Sequence, residues 1–139
     1  DLLIEHGVQP DAAWVHRGET SDPEFVRQII MERRPEALVC VNDHVAANLI
    51  RSLGRLGVRV PEDVAIVGVD DDDVSELLSV ALSTVRQPYQ DLGTAAILTM
   101  TDRLANPRLS AREVCVASEL IIRESCGARL RSHRGAAAG

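Results

Sequence analysis

Hydrophobic residues along the chain alternate between short continuous runs and longer stretches with helical spacing. Continuous runs at residues 37–41, 64–69 and 82–85 predict buried β-strands, and a shorter run at 12–15 predicts another strand. The run at 64–69 is rich in β-branched valine and isoleucine, which makes it the most strand-like part of the chain. A final extended segment is predicted over 114–122.

Helical spacing of apolar residues separates these runs. It predicts an amphipathic helix over 23–33, where Pro23 supplies a start signal, and a second helix from 43 to about 57. Asp43 is the expected N-cap of that second helix. A third helix is predicted from about 89 to 105.

The order of these elements is strand, helix, strand, helix, strand. Strands that are continuously apolar are typical of sheets covered on both faces, and helical crossovers join parallel strands. The pattern therefore predicts an α/β fold with a parallel sheet.

Length and charge narrow the function. The 139 residues suffice for one domain, and only one Trp, one Tyr and one Phe contribute to its core. The formal net charge of -6 argues against a nucleic-acid-binding surface in this segment, because phosphate neutralisation requires clustered Lys and Arg. The sequence contains no apolar run of membrane-spanning length.

Cysteine usage and the first residue bear on the origin of the chain. Cys40, Cys115 and Cys126 form an odd set without CxxC spacing, which indicates reduced thiols in a cytoplasmic protein. The chain begins with Asp1 and not with Met, so we expect a fragment of a longer protein.

Catalytic motifs are absent from the sequence. It contains no GxSxG elbow, no GxxxxGK[ST] loop, no GxGxxG and no HExxH. This agrees with a binding module, and we expect no enzyme activity.

Polar residues follow three of the predicted strands. Asn42 and Asp43 follow the first, Asp70 ends the second, and Arg86 and Gln87 follow the third. Ligands of open α/β sheets bind at this edge, where the carboxyl ends of the strands meet. A carboxylate and two amides suit a polyol, because each sugar hydroxyl both donates and accepts hydrogen bonds.

Several of these residues have simpler explanations. Asp43 is better explained as an N-cap than as a ligand contact, and Asn42 suits either role. The acidic run at 70–73 lacks the alternating spacing of a calcium loop, which favours a solvated acidic turn. His16 and His44 have no partner at ligand spacing, so we expect ordinary polar residues and no metal site.

Five segments resemble the lactose-repressor/galactose-repressor (LacI/GalR) family of bacterial transcription regulators. They are PEALVCVND at 35–43, LGVRVPEDVAIVGVDD at 56–71, LSTVRQP at 82–88, DLG at 91–93 and ELIIRES at 119–125. The resemblance runs in order over residues 1–126.

The resemblance implies a lobe of a type-1 periplasmic-binding-protein-like fold, in which two α/β lobes hold an effector in the cleft between them. Asn42, Asp70 and Gln87 match positions that contact the effector in the family. Thr20 matches a cleft position that is often aromatic.

The resemblance also implies a domain division. Residues 1–126 would form the C-terminal part of the effector-binding domain, truncated at its N-terminus. Of these, about 82–113 would belong to the N-terminal lobe in the intact protein. We expect 127–139 to be a disordered tail.

The function implied is the sensing of a small molecule, expected to be a sugar, by a cytoplasmic DNA-binding regulator. Operator DNA would be bound only through a headpiece that is absent from this chain, and neither a cofactor nor a membrane is implied. A purine effector is less favoured, because Thr20 replaces an aromatic residue that would stack on the base. The alternative is an extracytoplasmic sugar-binding protein of a transport system.

We also expect a homodimer. The predicted helix at 89–105 carries an apolar stripe that would pack in the missing lobe, so the segment 82–104 is expected to self-associate. The stripe consists of Leu92, Ala96, Met100 and Leu104. The family's usual dimer contact through the C-terminal lobe is the other expected interface.

Overall fold

A computed structural model describes residues 2–128 of the chain. The described helices are α1 (Leu2–Glu5), α2 (Pro23–Gln28), α3 (Asp43–Arg55), α4 (Val74–Leu77) and α5 (Tyr89–Ala105). The described strands are β1 (Ala37–Val39), β2 (Ala65–Asp70), β3 (Ser83–Arg86) and β4 (Glu119–Ile121). Residues 2–128 contain no helix with the length and hydropathy of a membrane span.

The four strands form one sheet in the order β1-β2-β3-β4. β1, β2 and β3 run parallel, which confirms the predicted parallel arrangement, whereas β4 pairs antiparallel with β3. Because β3 is part of this sheet, any segment that leaves the lobe begins after Arg86. The assignment of the remainder of 82–113 to another lobe stays a prediction.

The core lies between one face of the sheet and the helices α2 and α3. One apolar stripe of α3 is buried and packs with Ile66 and Leu82 of the sheet region. Fully burying a side chain of this size contributes about 1.5 to 3 kcal/mol. The stripe consists of Ala46, Leu49, Ile50 and Leu53.

No helix covers the opposite face of the sheet in the described part of the chain, where the outer strands are exposed and β2 is half-buried. Val39 is 77% exposed and Leu120 is 57% exposed. The expectation of helices on both faces is therefore wrong for residues 2–128. A continuous apolar run indicates that both faces of a strand are suited to burial. It does not show that helices of the same chain cover both faces.

The strand predicted at 12–15 is also wrong. Ala12–Trp14 form a 3₁₀ turn, and the Asp11 side chain caps it by accepting a 2.8 Å hydrogen bond from the Ala13 N–H. An aspartate directly before two alanines favours this local turn over an extended strand, because alanine has low β propensity.

The predicted helices fit their spans. The helix predicted at 23–33 begins as α2 and continues as a π-helical turn over Ile29–Arg33, after which Arg34 adopts φ of 46°. The helix α5 occupies the predicted span at 89–105. Only residues 119–121 of the extended segment predicted at 114–122 form a strand. From residue 129 onward, the predicted tail lies outside the described residues.

Candidate functional site

The carboxyl ends of β1, β2 and β3 lie side by side at one edge of the sheet. β2 ends at Asp70, which is paired in register with Arg86 at the end of β3. Asp70 and Asp71 adopt φ values of 113° and 61°, in a region that L-residues rarely occupy. Each such residue costs about 1 to 3 kcal/mol and persists where surrounding contacts hold it. The turn after β2 is therefore a strained segment at the edge where ligands are expected.

Asp70 and Gln87 are in direct contact. Gln87 Nε2 donates a 2.6 Å hydrogen bond to Asp70 Oδ1, and the Tyr89 hydroxyl donates a 2.9 Å hydrogen bond to the same oxygen. The hydrogen bond to Asp70 raises the pKa of Tyr89 above its ordinary value. Two donors on one oxygen fix the orientation of the carboxyl group.

The remaining polar atoms of this group are available to a ligand. No hydrogen bond within residues 2–128 reaches Asp70 Oδ2 or Gln87 Oε1. Both atoms are acceptors, so they suit hydroxyl donors such as those of a polyol.

Asn42, and not Asp43, caps α3. Asn42 Oδ1 accepts a 2.8 Å hydrogen bond from the Val45 N–H. The predicted role of Asp43 as the N-cap is therefore wrong, because the preceding amide already fills that position. The Asn42 side-chain NH₂ group makes no hydrogen bond within the described chain, which leaves a donor beside the cap.

Thr20 lies against the same first turn of α3. Its hydroxyl donates a 3.0 Å hydrogen bond to the Val45 carbonyl, and its own carbonyl accepts a 2.8 Å hydrogen bond from the Ser52 hydroxyl. Thr20 and Asn42 thus both contact Val45. The four predicted site residues form two pairs, one at the start of α3 and one at the ends of β2 and β3.

Asp43 is fully buried between α3 and the turn after β2. Its Oδ1 accepts a 2.6 Å hydrogen bond from the Thr84 hydroxyl, and its Oδ2 accepts a 2.9 Å hydrogen bond from the Asp72 N–H. The Asp43 carboxyl group thereby connects the start of α3 to the ends of β2 and β3.

The expectation of a solvated acidic turn at 70–73 is wrong for Asp71, whereas Asp73 is exposed as expected. Arg86 Nη2 lies 2.7 Å from Asp71 Oδ2, Arg123 Nη2 lies 2.8 Å from Asp71 Oδ1, and the Asp71 side chain is only 9% exposed. Burial alone would raise the pKa of Asp71, but the guanidinium groups of Arg123 and Arg86 outweigh burial and lower it. Asp71 therefore serves as an ion-paired anchor between strands.

The described residues offer no metal centre. Among residues 2–128, no group of three or more His, Cys, Asp or Glu side chains could hold an ion. His44 Nε2 lies 3.6 Å from Asp72 Oδ2 on the surface. Burial, followed by the nearby Asp43, raises the pKa of the Cys40 thiol to about 11, which suppresses thiolate formation.

Two residues that contact the candidate site were missed by the sequence analysis. Tyr89 touches Asp70, and its place two residues after Gln87 was a signal that sequence reasoning could have used. Thr84 lies inside the strand β3 and is fully buried, so nothing in its local pattern distinguished it from a core residue.

Comparison with protein families finds a match to the periplasmic binding protein-like domain over residues 1–126. Two curated relatives are the HTH-type transcriptional repressor PurR of Photobacterium profundum and the ribose operon repressor of Haemophilus influenzae. The first is 34% identical over 127 residues, which are 88% of this chain and 38% of the relative. The second is 35% identical over 92 residues, which are 66% of this chain and 28% of the relative. The chain thus spans well under half the length of these relatives.

Solved structures of transcription regulators are also similar to this chain. A complex of the transcriptional regulator CelR with cellobiose superposes with a TM-score of 0.73 at 27% identity, covering 88% of this chain and 39% of that one. A LacI family transcriptional regulator from Lactobacillus casei with bound sucrose has a TM-score of 0.63 at 25% identity, covering 88% of this chain and 47% of that one.

Proposed function

Because the chain belongs to the LacI/GalR type of transcription regulator and carries its periplasmic binding protein-like domain, we propose that it senses a sugar-like effector for a DNA-binding regulator. The proposed effector contacts are Asp70, Gln87, Asn42 and Thr20. Tyr89 joins them as a residue that orients Asp70.

The observation that carries this proposal is the state of the Asp70 carboxyl group. One oxygen is held by Gln87 and Tyr89, while the other has no partner within the described chain. A hydrogen bond to a charged group contributes about 1.5 to 3 kcal/mol, so a ligand hydroxyl placed on that oxygen would be bound firmly. Asn42 adds an amide donor beside the same sheet edge.

The relatives support a sugar-like effector and a regulatory role. Two similar structures hold cellobiose and sucrose, and both are transcription regulators. The curated relatives are repressors, which favours a regulator over the alternative of a transport-system binding protein. These relatives are named as repressors and regulators and not as enzymes, which agrees with the expectation of no enzyme activity.

Binding of DNA is proposed for a headpiece outside these 139 residues, since this chain has a net charge of -6. A cytoplasmic homodimer is the proposed working form. The effector would change the affinity for DNA only if it binds two arrangements of the intact protein with different affinities.

The test uses the intact protein that carries this chain. Its melting temperature is measured with cellobiose, sucrose, ribose and hypoxanthine, and hits are confirmed by titration calorimetry. We expect at least one sugar to raise the melting temperature and to change the affinity for operator DNA in a gel shift. Binding of hypoxanthine alone would contradict the sugar assignment, and sugar binding without any DNA binding would contradict the regulatory role.

A further inference from the structure

We propose that Asp43 is a positioning residue that holds the Asp70 carboxyl group in place through the Thr84 hydroxyl and the Asp72 backbone amide. The proposal rests on the proposed function, since it takes Asp70 as an effector contact. It assigns Asp43 a role in the site without contact to the effector.

The first step is that Asp43 has no local task. Asn42 already caps α3, so the helix does not need a second capping side chain at the next position. An acidic side chain without any exposed surface is nevertheless kept in the core. Charged groups are seldom fully buried unless specific partners hold them.

The second step is that both partners of Asp43 act on the turn that carries Asp70. The Asp72 N–H donates directly to Asp43 Oδ2 at 2.9 Å. The Thr84 hydroxyl donates to Asp43 Oδ1 at 2.6 Å, and the same hydroxyl oxygen lies 3.4 Å from the Asp71 nitrogen, whose N–H points towards it. The two residues that follow Asp70 are thus tied to one buried carboxyl group.

The third step is the backbone conformation of this turn. Asp70 and Asp71 have φ values of 113° and 61°, which L-residues rarely adopt unless their surroundings hold them. The hydrogen bonds to Asp43 supply part of that restraint. Without them, we expect the turn to relax and the Asp70 carboxyl group to leave Gln87 and Tyr89.

Tyr89 provides a direct readout of this arrangement without any ligand. It is the only tyrosine of the chain, and its hydrogen bond to Asp70 is the main cause of its raised pKa. Its ionisation can be followed by ultraviolet absorbance in the 139-residue chain. Asp70→Asn sets the value expected when the hydrogen bond to the carboxylate is lost.

The decisive variant is Thr84→Val, which removes the hydroxyl and leaves the Asp43 carboxyl group in place. We expect the pKa of Tyr89 to fall towards its ordinary value of about 10, as in Asp70→Asn. Thr84→Ser keeps a hydroxyl and should restore the raised pKa. Ser125→Ala is the matched control, because Ser125 is equally buried and bridges Ile66 and Ser83 through its hydroxyl without touching the turn.

Circular dichroism is used to check that each variant is folded. An unchanged Tyr89 pKa in folded Thr84→Val would overturn the proposal, as would an equal fall in Ser125→Ala. If Thr84→Val does not fold, Thr84→Ala replaces it, since it also removes the hydroxyl and leaves the Asp43 carboxyl group in place. A Tyr89 pKa in folded Thr84→Ala that stays at the wild-type value is then the overturning result.

A second measurement separates this proposal from the proposed function. In the intact protein, cellobiose affinity is compared among wild type, Thr84→Val, Asp70→Ala and the double variant. We expect Thr84→Val to weaken binding about tenfold and to have no further effect in the Asp70→Ala background. Additive losses would contradict positioning, whereas an absence of cellobiose binding to the wild type counts against the proposed function and leaves the tyrosine titration to decide on Asp43.

Discussion

Gly68 lies directly beneath the carboxyl group of Asp43. A Cβ atom built on Gly68 would overlap Asp43 Oδ1 and would come within 3.0 Å of Leu82 Cδ2. The central strand β2 therefore leaves space for the buried carboxyl group by carrying no side chain at this position. Neither neighbour can withdraw easily, because Asp43 is hydrogen-bonded and Leu82 is fully buried.

Gly68→Ala should accordingly destabilise the chain by about 1 to 3 kcal/mol, the usual cost of overpacking a core. Gly54→Ala is the matched control, because Gly54 lies in α3 with nothing within 4 Å of an added Cβ atom. The control should raise stability by up to about 1 kcal/mol, since alanine favours helix more than glycine does. Urea unfolding measures both, and equal effects of the two substitutions would show that the overlap is relieved at no cost.

Asp70→Ala should weaken effector binding by the intact protein about tenfold or more, because it removes a hydrogen bond to a charged group. The matched control is Asp73→Ala, three residues later in the same acidic run. Asp73 is exposed and its side chain makes no capping hydrogen bond. Calorimetric titration with the sugar that binds gives both affinities. Equal affinities of Asp70→Ala and Asp73→Ala, with both proteins folded, would contradict the assignment of Asp70.

Stability should fall in acid through Asp71. Since ion pairing lowers the pKa of Asp71 in the folded chain, its contribution is present above the unfolded pKa of about 3.9 and is lost as the pH falls through the lower folded pKa. Asp71→Asn should cost about 1.5 to 3 kcal/mol at pH 7. Its unfolding free energy should also change less than that of the wild type between pH 5 and 2. Parallel pH profiles of the two proteins would exclude this role.

Local sequence patterns were sufficient for the elements that form the core. The helix α3 was predicted because four apolar residues recur at helical spacing, and all four are buried. The strand β2 was predicted from β-branched residues, and its parallel pairing follows from helical crossovers. Asp70 and Gln87 were placed at the sheet edge because that edge follows from strand direction alone.

Contacts between distant residues were beyond the reach of these patterns. Asp43 was assigned to helix capping, whereas its partner Thr84 lies 41 residues away in β3. The acidic run was expected to face solvent. Its residue Asp71 instead pairs with Arg123, which reaches it because β4 returns antiparallel to β3. Tertiary packing determines which of these contacts form. The local pattern of a single sequence shows only which roles each residue could take.

The helix α5 makes the last prediction, since none of its residues is buried in the described chain. Leu92, Ala96 and Met100 face the segment 109–116 across an open cavity of about 630 Å³. Arg112 ties this segment to the helix by an ion pair with Asp102, with Nη1 and Oδ2 2.9 Å apart. The stripe was expected to have no partner within the chain. The structure corrects this expectation in part, because the segment borders the stripe but does not fill the cavity.

We expect the 139-residue chain to self-associate by covering this cavity with the same surface of a second copy. Leaving a large apolar side chain in water forfeits about 1.5 to 3 kcal/mol, which favours a dimer at high concentration. Leu92→Glu combined with Met100→Glu places charge inside the cavity and should give a monomer in light scattering. Ile97→Glu is the matched control, because Ile97 is exposed on α5 but does not line the cavity. If the dimer survives the double substitution but is lost with Ile97→Glu, the contact lies on the opposite side of α5. If the wild-type chain stays monomeric, the segment 109–116 covers the stripe sufficiently by itself.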